Sequence, residues 1–271
     1  GAALVLAAVM SAAAQVEALG AQDLAARVAA VRDGRVQFTY TAREGVCGDG
    51  RSFVRIGRST YVGTWNDGMD RDRCDPGPVR VVARLQSGTV DEIRHYVGGV
   101  PRSTAEGVTD LGAVPAPAAA RWLMDVARRA PGRAASKAIF PAVLADSAVV
   151  WRDLLAIARD ESGRSRDTRR EAANWLSHFA SAAVSGAQPG ALDFETGVGA
   201  DGQGESGETE VKKSAVFALS QLRDNSGVPQ LVTVARTNKD PEVRRSALFW
   251  LGQSGDPRGL ALFEEVLSKG R

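Results

Sequence analysis

Histidine is the scarcest reactive residue in this chain of 271 residues: only His95 and His178 occur, and neither has a ligand-type neighbour. A histidine-built metal centre or proton relay is therefore disfavoured, and each ring reads as structural. No GxSxG, Walker or dinucleotide fingerprint is present, and no Ser-His-Asp set stands out. These absences speak against catalysis without deciding it. Cysteine is as rare: Cys47 and Cys74 are the only two, and neither belongs to a CxxC pair, which argues against zinc or thioredoxin chemistry. A Cys47–Cys74 disulfide is the simplest reading, with two free thiols as the alternative.

An excess of one charge is also missing. The 34 Lys and Arg nearly cancel the 32 Asp and Glu. No global field would draw the chain to nucleic acid or anionic lipid, so charged recognition has to be local. Long hydrophobic runs are missing as well. The longest begins the sequence, Leu4-Val-Leu-Ala-Ala-Val-Met10 followed by small residues. At about 10 residues it is too short to span a bilayer. It has the character of an h-region with a cleavage site after Ala14, without a basic n-region before it. Residues 1–14 are thus expected to be a truncated signal segment and the mature chain to have no integral membrane segment; an Ala-rich helix of the folded domain is the competing reading. With the paired cysteines, this places the protein outside the cytoplasm, in the periplasm or envelope of a bacterium.

What is present falls into two halves. Residues 15–100 open with a helix carrying Leu24, Val28 and Val31 at helical spacing and then change to period two. Val36–Ala42, Phe53–Ile56 and Thr60–Trp65 alternate as strands do. Val79–Leu85 and Thr89–Val97 flank Gln86-Ser87-Gly88 as a hairpin, with Val81, Ala83 and Leu85 on one face. Residues 101–117, with three prolines and little periodicity, read as a linker. From 118 to 271 the chain reads as helical. The expected fold class is α+β: a small antiparallel β-rich region, then an α-α solenoid.

The solenoid expectation rests on self-similarity. Thr168-Arg-Arg-Glu-Ala-Ala-Asn-Trp-Leu176, Val211-Lys-Lys-Ser-Ala-Val-Phe-Ala-Leu219 and Val243-Arg-Arg-Ser-Ala-Leu-Phe-Trp-Leu251 share one template. The last two are 243 − 211 = 32 residues apart and the first two 211 − 168 = 43, so about 11 residues are inserted between them. Leu144 precedes Leu176 by the same 32, hinting at a fourth, degenerate copy. Offsets 0, 4 and 8 predict buried stripes at Thr168/Ala172/Leu176, Val211/Ala215/Leu219 and Val243/Ala247/Leu251. Partner helices follow at Trp151–Arg159, Pro229–Arg236 and Gly259–Leu267, with Asp240-Pro241 and Asp256-Pro257 as start signals.

This pattern of helix pairs, Asp-Pro starts and a basic pair beside the first buried residue resembles the HEAT-like repeats first described in phycobilisome lyases. With the signal-like start and the cysteine-bearing β segment, the whole resembles exported bacterial HEAT-repeat proteins, a family with no established activity. HEAT-type hydroxylases bind iron through repeated His-Glu pairs; here the histidines precede Tyr96 and Phe179. The resemblance implies a fold rather than a reaction.

A single helix pair cannot bury its own apolar face, so neighbours stack and offer an extended surface. The expectation is a non-catalytic scaffold that binds another protein as a monomer, without cofactor or nucleic acid; the alternative is a lyase-like enzyme or small-molecule binder using the repeat groove and the β region. The final pair is expected to cap the stack. The recurring pairs Arg169/Arg170, Lys212/Lys213 and Arg244/Arg245 would form a ladder along one edge, either solvated and ion-paired through Asp167, Glu210 and Glu242 or facing an anionic partner. Trp175 and Trp250 share a template position and read as interhelical packing or as partner anchors. Residues 183–209, acidic and glycine-rich, are expected to be a flexible loop. Calcium binding there by Asp201 and Glu205, or by Asp67, Asp70, Asp72 and Asp75 near Cys74, lacks EF-hand spacing.

Overall fold

The computed structural model describes residues 23–51, 53–57, 60–62, 74–99, 107–186 and 207–269. The signal-like run, both calcium-type clusters apart from Asp75, and most of the acidic insertion lie outside the described residues. A helix over residues 23–29 (α1) precedes strands β1 (Gly34–Tyr40), β2 (Val46–Gly48), β3 (Val54–Ile56), β4 (Thr60–Val62), β5 (Val79–Gln86), β6 (Thr89–Val97) and β7 (Val108–Ala113). The main sheet runs β6-β5-β1-β7, and β2-β3-β4 form a second, three-stranded one.

Period-two alternation gives the main sheet two unlike faces. Val36, Phe38 and Tyr40 of β1, Val79, Val81, Ala83 and Leu85 of β5, and Ile93 and Val97 of β6 are all buried. The hairpin is tighter than its residues predicted. Only Ser87 and Gly88 connect the strands, both at positive φ, and Gln86 joins β5. The stretch read as a linker carries β7, which pairs parallel to β1. Its residues are exposed or half-buried throughout, so no alternation marked it as a strand.

Eight helices follow: α2 (Ala116–Arg129), α3 (Gly132–Val143), α4 (Trp151–Arg159), α5 (Arg166–Val184), α6 (Gly207–Ser220), α7 (Val228–Thr237), α8 (Pro241–Ser254) and α9 (Pro257–Lys269). Helices α5 and α6 trim the expected 183–209 loop at both ends. Pro141 lies inside α3 without ending it, and its carbonyl accepts a 2.6 Å hydrogen bond from the buried Tyr40 hydroxyl. That bond, the edge-on Phe38–Trp122 contact at 5.4 Å and Arg43 Nε donating to Val143 O at 2.7 Å join sheet and helices. One continuous hydrophobic cluster runs from Leu24 to Phe263.

His95 on β6 packs edge-on against Phe140, with ring centroids 4.9 Å apart. Burial, reinforced by the charge of Lys137, lowers its pKa from 6.5 to about 4. The unfolded chain therefore binds this proton more readily than the folded one. The stability tied to the neutral ring is complete above pH 6.5 and is lost as the pH falls towards 4, by about 2–3 kcal/mol. Urea unfolding at pH 7.0 and 4.5 should show a correspondingly smaller acid loss for His95→Gln than for the wild type. Equal losses would refute the assignment.

The helices form two layers in an order the sequence did not predict. One layer runs α3-α5-α8-α6 and the other α2-α4-α9-α7. The pair α8/α9 therefore lies between α4/α5 and α6/α7, although it follows both in the chain. The expectation that the last pair caps the stack is overturned: Leu251, Leu260, Leu262 and Phe263 are buried. The α8–α5 contact is close one position beyond the shared template. At offset nine stand Ser177, Ser220 and Gly252. A Cβ at Gly252 would sit 2.7 Å from Ser177 Cβ and 3.0 Å from Ala173 O. Glycine lets α8 approach α5 this closely; the corresponding residue of α6 is Ser220.

Candidate functional site

The displaced helix α6 carries the surface that sets this molecule apart. Its predicted buried stripe faces outward: Val211 is 69% exposed, Ala215 is exposed and Leu219 is half-buried. The residue that α6 buries is Val216. The expected Val211/Ala215/Leu219 core stripe is thus corrected, whereas Thr168/Ala172/Leu176 and Val243/Ala247/Leu251 are buried as their periodicity required. Helix α6 packs on α8 and α7. Thr209 Oγ1 anchors its first turn by donating to Asp240 Oδ2, the α8 N-cap, at 2.6 Å.

With its stripe turned out, α6 displays Val211, Ala215, Ala218 and Leu222 at offsets 0, 4, 7 and 11, one face of a helix continued into the following turn. Leu222 is 49% exposed, and Phe217, about a third of a turn round the helix and against Trp250, is 47% exposed. Among the described residues four large hydrophobic side chains are exposed, and Val149 is the only one elsewhere. Single exposed leucines are ordinary; Val211 and Leu222 joined by exposed Ala215 and Ala218 make one apolar strip, which marks a contact surface.

The charge of the basic pairs is largely used locally. Arg170 pairs with Asp167 at 3.4 Å, Lys213 with Glu210 at 3.9 Å, and Arg245 with Glu242, each three residues apart within one helix. Lys212 pairs with Glu208 at 2.5 Å and Arg169 with Glu161 at 3.9 Å. Arg244 Nη1 donates to Asn238 O at 2.9 Å, closing the turn before α8. Because α8 lies between α5 and α6, the ladder is not ordered as in the sequence.

The two tryptophans part company. Trp175 is buried, donates to Glu171 Oε1 at 2.7 Å and stacks on Phe140 at 5.1 Å. It belongs to the core and offers no anchor to a partner. Trp250 is half-buried, 5.1 Å from both Phe217 and Phe249. It supports the exposed Phe217 ring from below. His178 is buried beside Trp175, with centroids 5.2 Å apart. Cys47 and Cys74 form the disulfide, with Cα atoms 5.2 Å apart.

Among the described residues, no group of three or more His, Cys, Asp or Glu side chains is placed to hold a metal ion. No helix among them is long and apolar enough to cross a membrane.

Residues 204–271 match the family model for HEAT repeats. That span contains α6 to α9 and thus the exposed stripe. No curated protein and no solved structure matches the chain.

Proposed function

We propose that this protein is a non-catalytic, protein-binding scaffold of the bacterial envelope, in which HEAT-like helix pairs form a short α-α solenoid and α6 at its open end receives the partner. The observation that carries this reading is the apolar strip Val211, Ala215, Ala218 and Leu222, left uncovered where a further helix pair would pack in a longer array. HEAT repeats commonly mediate protein interactions, and the matched segment contains the strip. Lys212, 40% exposed and held by Glu208, borders it as polar rim. The partner element that fits is an amphipathic helix presenting a complementary apolar face. Export is supported by the disulfide, which persists in oxidising compartments.

The test is a photo-crosslinking residue at Ala215 or Ala218, both exposed on the strip, in cells, with Arg152 on α4 as comparison site. One discrete adduct from the strip is expected, absent from position 152. Introducing Val211→Asp with Leu222→Asp should abolish it while changing the melting temperature by no more than about 2 °C, since both side chains are exposed. Adducts no stronger from the strip than from position 152 would defeat the proposal.

A further inference from the structure

The face of the main sheet turned away from the helices carries a second surface, independent of α6. Cross-strand pairing arranges its side chains in rows. Glu92 on β6 lies opposite Arg84 on β5, and Arg84 opposite Arg35 on β1. In the next rows Arg94 faces Val82, which faces Gln37, and Tyr96 faces Arg80. These rows floor a groove of about 370 Å³, closed on one side by Gly50 and Arg51 from the β2–β3 connection. Five arginines and one carboxylate line it. In a chain whose formal net charge is only +2, this is a local concentration of positive charge rather than part of a basic surface.

The acidic side chains at hand satisfy two of the five. Arg84 pairs with Asp91 at 2.9 Å and Arg94 with Glu92 at 2.7 Å. Arg35, Arg51 and Arg80 have no carboxylate partner among the described residues. Arg80 lies over the Tyr96 ring, 4.7 Å from its centroid, and its Nε is buried without a hydrogen-bond acceptor. Arg35 and Arg84 are like charges directly opposite each other on adjacent strands; Asp91 and Glu92 offset the charge of Arg84, while Arg35 has no carboxylate partner among the described residues. A buried donor left unsatisfied costs stability. An anion in the groove would meet Arg35, Arg51 and Arg80 without displacing a carboxylate of the described residues. Guanidinium forks match carboxylate and phosphate oxygens, while Val82 and the Tyr96 ring offer an apolar floor. The volume lies in the range of small-molecule sites.

We infer that the outer face of the β6-β5-β1-β7 sheet binds a small organic anion, its carboxylate or phosphate group held by Arg35, Arg51 and Arg80 and its apolar body lying on Val82 and Tyr96. Calorimetric titration of the full chain with phenyl phosphate and with benzoate tests this, with benzyl alcohol as the uncharged comparison. At least one of the two anions should bind saturably at one site, at least tenfold more tightly than benzyl alcohol, and the tighter one identifies the headgroup. Arg35→Gln with Arg80→Gln should weaken it at least tenfold, whereas Arg152→Gln on α4, which removes a positive charge elsewhere, should change it less than twofold. The proposal is overturned by saturable binding of neither anion, by equal affinity in the double variant, or by benzyl alcohol binding as tightly as the anions.

Discussion

Truncating Phe263 to alanine is expected to lower the unfolding free energy by about 3–5 kcal/mol, the range for deleting a fully buried aromatic side chain. The ring belongs to α9 and is completely buried. Helix α9 packs against α4, α5, α7 and α8, so the cavity would open where two layers meet. An end cap would behave differently, because one of its faces is wet and its loss frays only the neighbouring pair. Val211→Ala supplies the contrast: although Val211 sits in a matched repeat, its exposure predicts a change within about 0.5 kcal/mol. Denaturant unfolding of the two variants separates the arrangements. If Phe263→Ala proved mild and Val211→Ala severe, α6 rather than α8/α9 would occupy the middle of the stack.

The second large effect belongs to the β region. Cys47 and Cys74 close a loop with a sequence separation of 27 residues. Replacing both by serine should destabilise the protein by about 3–4 kcal/mol in the chain-entropy model, and reductant should do the same to the wild type. The surroundings of the bridge sharpen the expectation. Gly48 and Asp75 exchange backbone hydrogen bonds of 3.1 and 3.0 Å beside it. Gly98 is held at φ +62° with no room for a side chain, since a Cβ there would lie 2.2 Å from Asp75 O. With the loop released, residues 74–77 lose their tether and the Gly48–Asp75–Gly98 junction opens. Hydrogen exchange should show faster exchange at Gly48 and Asp75, while Phe38 and Val81 in the main sheet stay protected. Unchanged exchange at the junction would mean that its backbone bonds suffice without the covalent bridge.

Periodicity made much of the fold legible. The alternation in β1, β5 and β6 identified the buried face of the sheet, and offsets 0, 4 and 8 identified the cores of α5 and α8, because one dominant contact face decides those positions. The same rule failed at α6. Its stripe matches the others in composition, but the helix that packs on α5 is α8, whose Gly252 meets Ser177 and Ala173 at close range. Periodicity measures which residues prefer burial, and says nothing about how many helices compete for one face. Strand β7 escaped for the opposite reason: it pairs through its backbone while showing its side chains to solvent. The arginine groove was invisible for a third reason. Its members come from β1, β5, β6 and the β2–β3 connection, spaced so far apart that only strand order brings Arg35 beside Arg84. The two cysteines were the easiest reading of all, since a pair offers one pairing.

The interleaved order of the helix pairs also bears on how the chain is made. During synthesis α6 and α7 emerge before α8 and α9, yet their place in the stack is against α8. Until α8 and α9 have been produced, α5 lacks the neighbour that its close-packed face requires, and α6/α7 has nothing to dock on. A vectorial, pair-by-pair mode of folding, natural for arrays whose neighbours follow in sequence, is therefore closed to this half of the molecule. The native contacts of α5 and α6 in this stack are complete only once the later pair has been inserted between them.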